Sequence, residues 1–243
     1  MFQRPSHPPR PHSHSEAAHV HGGGVVRDLV FGANDGLVAA FAVVTGLHAA
    51  ATGSRIVFTG GLAELLGGTI AMSLGAFLAT KSAREFFLAE RKREEYEVDH
   101  FPEEERAEIR RAFAAEGFEG RVLEQVVQHV TADRQRWVAT MMDRELGLSE
   151  VAPEAARKAA VATGIAYALG AAMPTLPYAL LPLSLAFAVS IALTGIALFA
   201  VGALKTRVTA IAWWKSGAES LAIGVLAAAA TFAAGRLIGG GGG

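Results

Sequence analysis

The sequence predicts an all-α integral membrane protein, in which five transmembrane helices form a bundle and a cytoplasmic three-helix insert lies between the second and third. Mean hydropathy is +0.32, and several apolar stretches reach the roughly 20 residues that a helix needs to cross a bilayer. Charged residues nevertheless make up 19% of the chain. They are concentrated between Lys81 and Lys158 and in the N-terminal tail, so apolar and charged residues must occupy separate regions.

The five predicted spans follow from long stretches with few charges. They cover 28–51, 56–80, two segments of the uncharged run 159–204, and 208–238. Pro174, Pro177 and Pro182 place the turn between the third and fourth spans, because proline interrupts helices. Small residues four apart, such as Gly32 and Gly36, indicate faces on which membrane helices approach each other closely.

The orientation of the spans follows from the basic residues beside their ends. With the N-terminus in the cytoplasm, Arg27, the insert, Lys205 and Arg207 are cytoplasmic, whereas the outer loops keep only Arg55. We therefore expect a protein of the cell (inner) membrane whose N-terminus and insert face the cytoplasm. The predicted regions are a disordered His-rich tail (1–24), spans one and two (25–80), a cytoplasmic helical domain (81–155) and spans three to five (156–238).

The insert is predicted to contain three helices, at 85–98, 102–116 and 119–146. Carboxylate and thioether side chains recur on them at helical spacing: Glu94, Glu97, Glu105, Glu108, Met141, Met142 and Glu145. Residues three or four apart lie on the same face of a helix. If the three faces converge, the ligands suit Fe²⁺, Mn²⁺ or Zn²⁺ better than Ca²⁺. Acidic pairs on polar helices are more often a solvated face, so spacing alone leaves both interpretations open.

The predicted spans contain acidic side chains without a basic neighbour in the same span. Asp35 lies about 10 Å from the cytoplasmic end of span one, Met72 lies at a similar depth of about 12 Å in span two, and Glu64 is about 12 Å further outward. A charge at membrane depth is costly and normally marks an ion pathway, a partner or a proton relay. The three side chains are therefore candidates for a row of metal ligands across the membrane, although a lone methionine is more often a packing residue.

Other ionisable residues of the spans have simpler explanations. Lys215 and Glu219 are four residues apart and either neutralise each other or serve the pathway. His48 is expected near the outer membrane surface. The N-terminal tail carries five of the eight histidines, and short His-rich tracts either bind metals or have no role.

Several classes of function have no support in the sequence. There is no cysteine, so disulfides and thiolate metal sites are excluded. No P-loop, glycine fingerprint or nucleophile–base arrangement occurs. The formal net charge is −1, which does not favour nucleic-acid binding. We therefore expect neither an enzyme nor a bound cofactor nor a nucleic-acid partner.

The sequence resembles the vacuolar iron transporter family of divalent-metal transporters over about residues 27–239. The resemblance rests on Arg-Asp-Leu-Val-Phe-Gly-Ala-Asn-Asp-Gly-Leu-Val at 27–38, on Glu64 with Ala-Met-Ser-Leu-Gly-Ala at 71–76, and on the acidic insert with Met-Met-Asp-Arg-Glu at 141–145. It implies a homodimer in the lipid bilayer that exports Fe²⁺, and often Mn²⁺, from the cytoplasm in exchange for protons.

The resemblance also implies roles for particular residues. Asp35, Glu64 and Met72 would line the translocation path, and the seven carboxylate and thioether residues of the insert would form a cytoplasmic metal-binding domain. A second hypothesis is a membrane-anchored metal sensor or storage protein whose insert binds iron. Ferritin-like bundles, however, use a Glu-x-x-His pattern, which the insert lacks, and the acids within the spans would then have no role.

Overall fold

The computed structural model describes residues 16–50, 53–206 and 212–240, with side chains from Gly24 to Gly239 in these ranges. The described residues form α-helices and contain no strand. The helices are α1 (Glu16–Ala49), α2 (Ser54–His100), α3 (Pro102–Ala115), α4 (Gly120–Thr131), α5 (Arg134–Arg144), α6 (Ala155–Thr175), α7 (Pro177–Leu180), α8 (Leu183–Lys205) and α9 (Trp213–Gly240). The expected all-helical class is thus confirmed.

Four stretches of helix in the described ranges are long and apolar enough to cross a membrane. They are Gly24–Ala49, Ser54–His100, Leu183–Lys205 and Trp213–Gly239. The predicted third span corresponds to α6, whose 21 residues are rich in alanine and glycine and include Arg157 and Lys158; this helix is not one of the four. The protein is an integral membrane protein, and the count of five spans stays a prediction.

Some helix boundaries differ from those expected. The helix α1 begins at Glu16 and so includes residues 16–24, which were expected to belong to the disordered tail. Residues 1–15, with His7, His12 and His14, lie outside the described residues. The start of the last predicted span, at 208, also lies outside them, and α9 begins at Trp213.

The prediction of one helix from 119 to 146 is wrong, because the structure contains two, α4 and α5. The break lies at Asp133, whose carboxylate accepts a hydrogen bond from the backbone N–H of Arg136 at 2.8 Å. An aspartate in this position satisfies a free N–H at the start of a helix and so favours a new helix over continuation. The insert therefore comprises the C-terminal part of α2 together with α3, α4 and α5.

The chain divides into two compact units, residues 74–160 and the rest. In the first, apolar side chains of all four helices form one core: Phe87, Val98, Ile109, Phe113, Val127, Val130, Trp137, Val138, Met141 and Met142. Ion pairs join the helices at the surface of this core. Arg134 contacts Asp99 at 2.8 Å and Arg110 contacts Glu124 at 2.8 Å. This unit is a small helical bundle with an apolar core and a charged surface.

The second unit holds the apolar helices, and glycines bring α1 and α6 into close contact. A Cβ atom at Gly32 would meet the carbonyl oxygen of Thr163 at 2.5 Å, and one at Gly36 would overlap the backbone of Tyr167. The glycine spacing in α1 therefore serves packing within one chain. This contact holds the segment that carries Asp35 against α6.

Candidate metal sites

Glutamates of α2 and α3 converge in the insert. Carboxylate oxygens of Glu94, Glu97 and Glu105 all lie within 4.8 Å of one another. They face a cavity of about 360 Å³. The residues that line it are Glu90, Arg93, Glu94, Glu97, Phe101, Glu104, Glu105, Glu108, Glu145 and Leu146. The structure thus brings together all five glutamates that the sequence singled out in the insert.

Local structure explains this convergence. Glu94 and Glu97 are three residues apart near the end of α2, and Glu105 and Glu108 are three apart near the start of α3, so each pair occupies one helix face. Only Phe101 separates α2 from α3, and Pro102 begins α3 in the first helical position, where proline is favoured. The short connection therefore places the two acidic faces side by side.

Two of these carboxyl groups are buried without a hydrogen-bonding partner. Glu94 and Glu105 are each 5% exposed, and the Oε2 atom of each lacks a donor. Burial, and to a smaller extent the negative charge of the nearby Glu145, raises the pKa of Glu94 to about 7. Burial, and to a smaller extent the charge of the nearby Glu108, raises the pKa of Glu105 to about 7. A cation bound between them would supply the missing partner and offset the repulsion, because a bound ion reverses the local preference for the neutral form.

The two methionines predicted as ligands occupy a different place. Met141 is 1% exposed and Met142 is 3% exposed, and both belong to the apolar core of the insert. Neither is among the residues that line the acidic cavity; Met142 instead lines a separate cavity of about 510 Å³ with Phe87 and Arg91. The structure therefore groups the carboxylates but does not place the thioether side chains in the same cavity.

The candidate pathway residues of the apolar helices surround one tyrosine. The hydroxyl of Tyr167 donates a hydrogen bond to Glu64 at 2.5 Å, and Met72 packs against the buried cluster that contains Tyr167. Asp35 precedes Gly36, which contacts the Tyr167 backbone, and the Asp35 and Glu64 carboxyl groups are close enough to interact electrostatically. Sequence analysis missed Tyr167. Its position in an uncharged run was an available indication, since a buried tyrosine hydroxyl usually has a polar partner.

Asp35 also lines a cavity of about 440 Å³ between α1, α8 and α9, together with Arg27, Asn34, Lys205 and Glu219. Lys205 and Glu219 form an ion pair at 3.8 Å. Lys215 lies instead over the ring of Trp214, with 5.5 Å between its nitrogen and the ring centre. The alternative of a Lys215–Glu219 pair is therefore wrong, because the end of α8 brings a different lysine to Glu219.

His48 lies among aromatic side chains. Its ring stacks on that of Phe187, with 4.0 Å between centres and 7° between planes, and lies 6.2 Å from the ring of Tyr178. The Nδ1 atom of His48 and the hydroxyl of Tyr178 are both buried without a hydrogen-bonding partner. Stacking therefore holds His48 in place at this end of α1.

Helices long and apolar enough to span a membrane, with Asp35 and Glu64 among them, and an acidic cavity in the insert are typical of integral membrane transporters of ions. Comparison with known proteins agrees with this class. The model of the VIT family matches residues 26–236, and the chain belongs to this family. The family resemblance read from the sequence is thus confirmed.

Relatives align over most of the chain. Vacuolar iron transporter 1 of Arabidopsis thaliana is 38% identical over 226 residues, which cover 93% of this chain and 90% of that protein. Vacuolar iron transporter 1 of Tulipa gesneriana is 36% identical over an alignment that covers 95% of this chain and 96% of that protein. Protein CCC1 of Saccharomyces cerevisiae is 29% identical over 88% of this chain and 69% of that protein. The alignments thus include both the apolar helices and the insert.

Proposed function

We propose that the protein exports Fe²⁺, and also Mn²⁺, from the cytoplasm in exchange for protons, and so contributes to metal homeostasis and detoxification. The observation that carries this proposal is the contact between Tyr167 and Glu64 with Asp35 nearby. Two carboxyl groups near enough to repel each other among apolar helices are costly unless they serve an ion or a proton. The relatives named as iron transporters support iron as the cargo.

Asp35, Glu64 and Met72 act in this proposal as the translocation pathway. Carboxylates bind hard and borderline cations and a thioether favours softer ones, which suits Fe²⁺ and Mn²⁺, with Zn²⁺ as a further candidate. A carboxyl group that releases a metal ion into a proton-rich compartment binds a proton in its place. Exchange of one cation for the other would therefore couple the two fluxes.

The insert serves as the cytoplasmic metal-binding domain. Glu94, Glu97 and Glu105 would form the centre of its site, with Glu108 and Glu145 at the cavity wall. Divalent cations bind such oxygen clusters, and the two buried carboxylates without a donor are what a cation would satisfy. Met141 and Met142 remain candidate ligands only if the core rearranges on metal binding, since both are packed within it.

The same proposal includes the topology and the assembly. The N-terminus and residues 81–155 would lie in the cytoplasm, five spans would cross the cell membrane, and two copies would associate. The helix α2 offers an apolar face for a second copy: Leu66, Ile70 and Leu74 are each more than half exposed, and Gly67 has no other atoms close to it. Small residues on an exposed apolar face permit close helix contact in lipid.

Transport can be tested in proteoliposomes with Fe²⁺ or Mn²⁺ on one side, an imposed pH gradient and a pH-sensitive dye inside. The wild-type protein should move metal and protons in opposite directions. Asp35→Asn should abolish both fluxes, whereas Asp28→Asn, which removes a carboxylate paired with Arg27 at 3.3 Å on the same helix, should leave them largely intact. Equal transport by Asp35→Asn and wild type would refute the pathway. Metal binding by the wild-type chain without any flux would favour the sensor or storage hypothesis.

The dimer can be tested by cross-linking, because the chain has no cysteine of its own. Ile70→Cys should form a disulfide-linked dimer in membranes under mild oxidation. Leu226→Cys on α9 is the control, since its side chain is 70% exposed but lies on another helix. Equal cross-linking at both positions would indicate random collision and would argue against an α2 interface.

A further inference from the structure

One basic side chain lies among the glutamates of the acidic cavity. Of the residues that line it, all within the described insert, seven are glutamates and only Arg93 is basic. The Nε of Arg93 donates a hydrogen bond to Glu97 at 3.1 Å, and its Nη1 lies 4.0 Å from Glu90. The Arg93 side chain is 67% exposed, so little packing prevents it from moving between Glu97 and Glu90.

Arg93 and a metal ion would compete for Glu97. Glu97 is one of the three glutamates whose oxygens converge, and an oxygen that accepts a guanidinium hydrogen bond is less available as a metal ligand. A guanidinium charge within a few ångströms of a divalent cation also repels it. Arg111, which contacts Glu108 at 2.8 Å, is not a lining residue, so the competition centres on Arg93.

We propose that Arg93 is a displaceable counter-ion that occupies the acidic site when no metal is bound, leaves Glu97 when a divalent cation enters, and then pairs with Glu90. This inference rests on the proposed role of the insert as a metal-binding domain. By competing with the metal ion, Arg93 would set the metal concentration at which the site fills. Glu90, three residues earlier on α2, lowers the cost of displacement because it receives the guanidinium.

Mn²⁺ binding to the full chain in detergent, measured by calorimetry, tests the proposal. The binding event that is lost in a Glu94→Gln/Glu105→Gln double variant identifies the insert site. Arg93→Gln should tighten Mn²⁺ binding there about two- to fivefold, the range expected when a partly exposed ion pair no longer competes. The matched control is Arg91→Gln, which removes an equal charge two residues away, from a pair with Glu95 at 3.2 Å, and should change the affinity far less.

A second variant tests the transfer to Glu90. Glu90→Gln should weaken Mn²⁺ binding in the wild-type background but have a much smaller effect when Arg93 is already glutamine, because coupled residues are not additive. Equal weakening in both backgrounds would overturn the transfer. Unchanged or weaker binding by Arg93→Gln, or an equal gain from Arg91→Gln, would overturn the competition itself.

Failure of the proposed function gives a different result. If the Glu94→Gln/Glu105→Gln variant binds Mn²⁺ as the wild type does, the insert is not a metal site and the role of Arg93 falls with it. If that variant loses binding while Arg93→Gln matches the wild type, only the inference about Arg93 fails.

Discussion

Metal binding by the insert should depend steeply on pH between 6 and 8. The pKa values of Glu94 and Glu105 are both about 7 without metal, and a cation must displace any proton from them. A group with a pKa near 7 is about nine-tenths protonated at pH 6 and about one-tenth at pH 8, so each can change the apparent affinity about tenfold. The upper limit for the pair is about a hundredfold, whereas ordinary glutamates would change it hardly at all.

Calorimetry of Mn²⁺ binding in buffers of different ionisation enthalpy measures both the affinity and the number of protons released. At pH 7 the two half-protonated groups should release about one proton for each metal ion bound. Histidines titrate in the same range, so the Glu94→Gln/Glu105→Gln variant, which retains every histidine, gives the background to subtract. An affinity that changes less than about threefold from pH 6 to 8, with no proton release above that background, would refute the reasoning from burial.

Three further outcomes follow from the packing. Glu105→Gln should raise the unfolding temperature of the metal-free protein at pH 8 but not at pH 4. The pKa of Glu105 is higher in the folded protein than in the unfolded chain, so this residue makes the wild-type protein less stable as pH rises from about 4.5 to about 7. Met141→Ala should cost about 2–5 kcal/mol in denaturant unfolding of the insert, whereas Met142→Leu should cost under about 1.5 kcal/mol and retain Mn²⁺ binding; lost binding would restore its role as a ligand. Gly36→Leu should disrupt the α1–α6 contact and lower thermal stability in detergent, whereas Gly24→Leu, on the same helix but in open space, should not.

The sequence by itself determined the features that depend on spacing along one helix. Long apolar stretches predicted the helices that can span a membrane, because the bilayer sets their length. The three-residue spacing of Glu94 with Glu97, and of Glu105 with Glu108, predicted two acidic faces, because the helical repeat places such residues together. A capping aspartate such as Asp133 is a local feature as well, and it could have indicated the break between α4 and α5.

Only the tertiary structure decided which faces meet. Met141 and Met142 lie within a helical turn of Glu145, yet packing places both side chains in the apolar core. Glu219 pairs with Lys205 of another helix and not with Lys215 four residues away. Tyr167 reaches Glu64 across more than a hundred residues of sequence. Contacts of this kind depend on how helices are rotated and brought together, and neither the helical repeat nor the composition of one segment specifies that rotation.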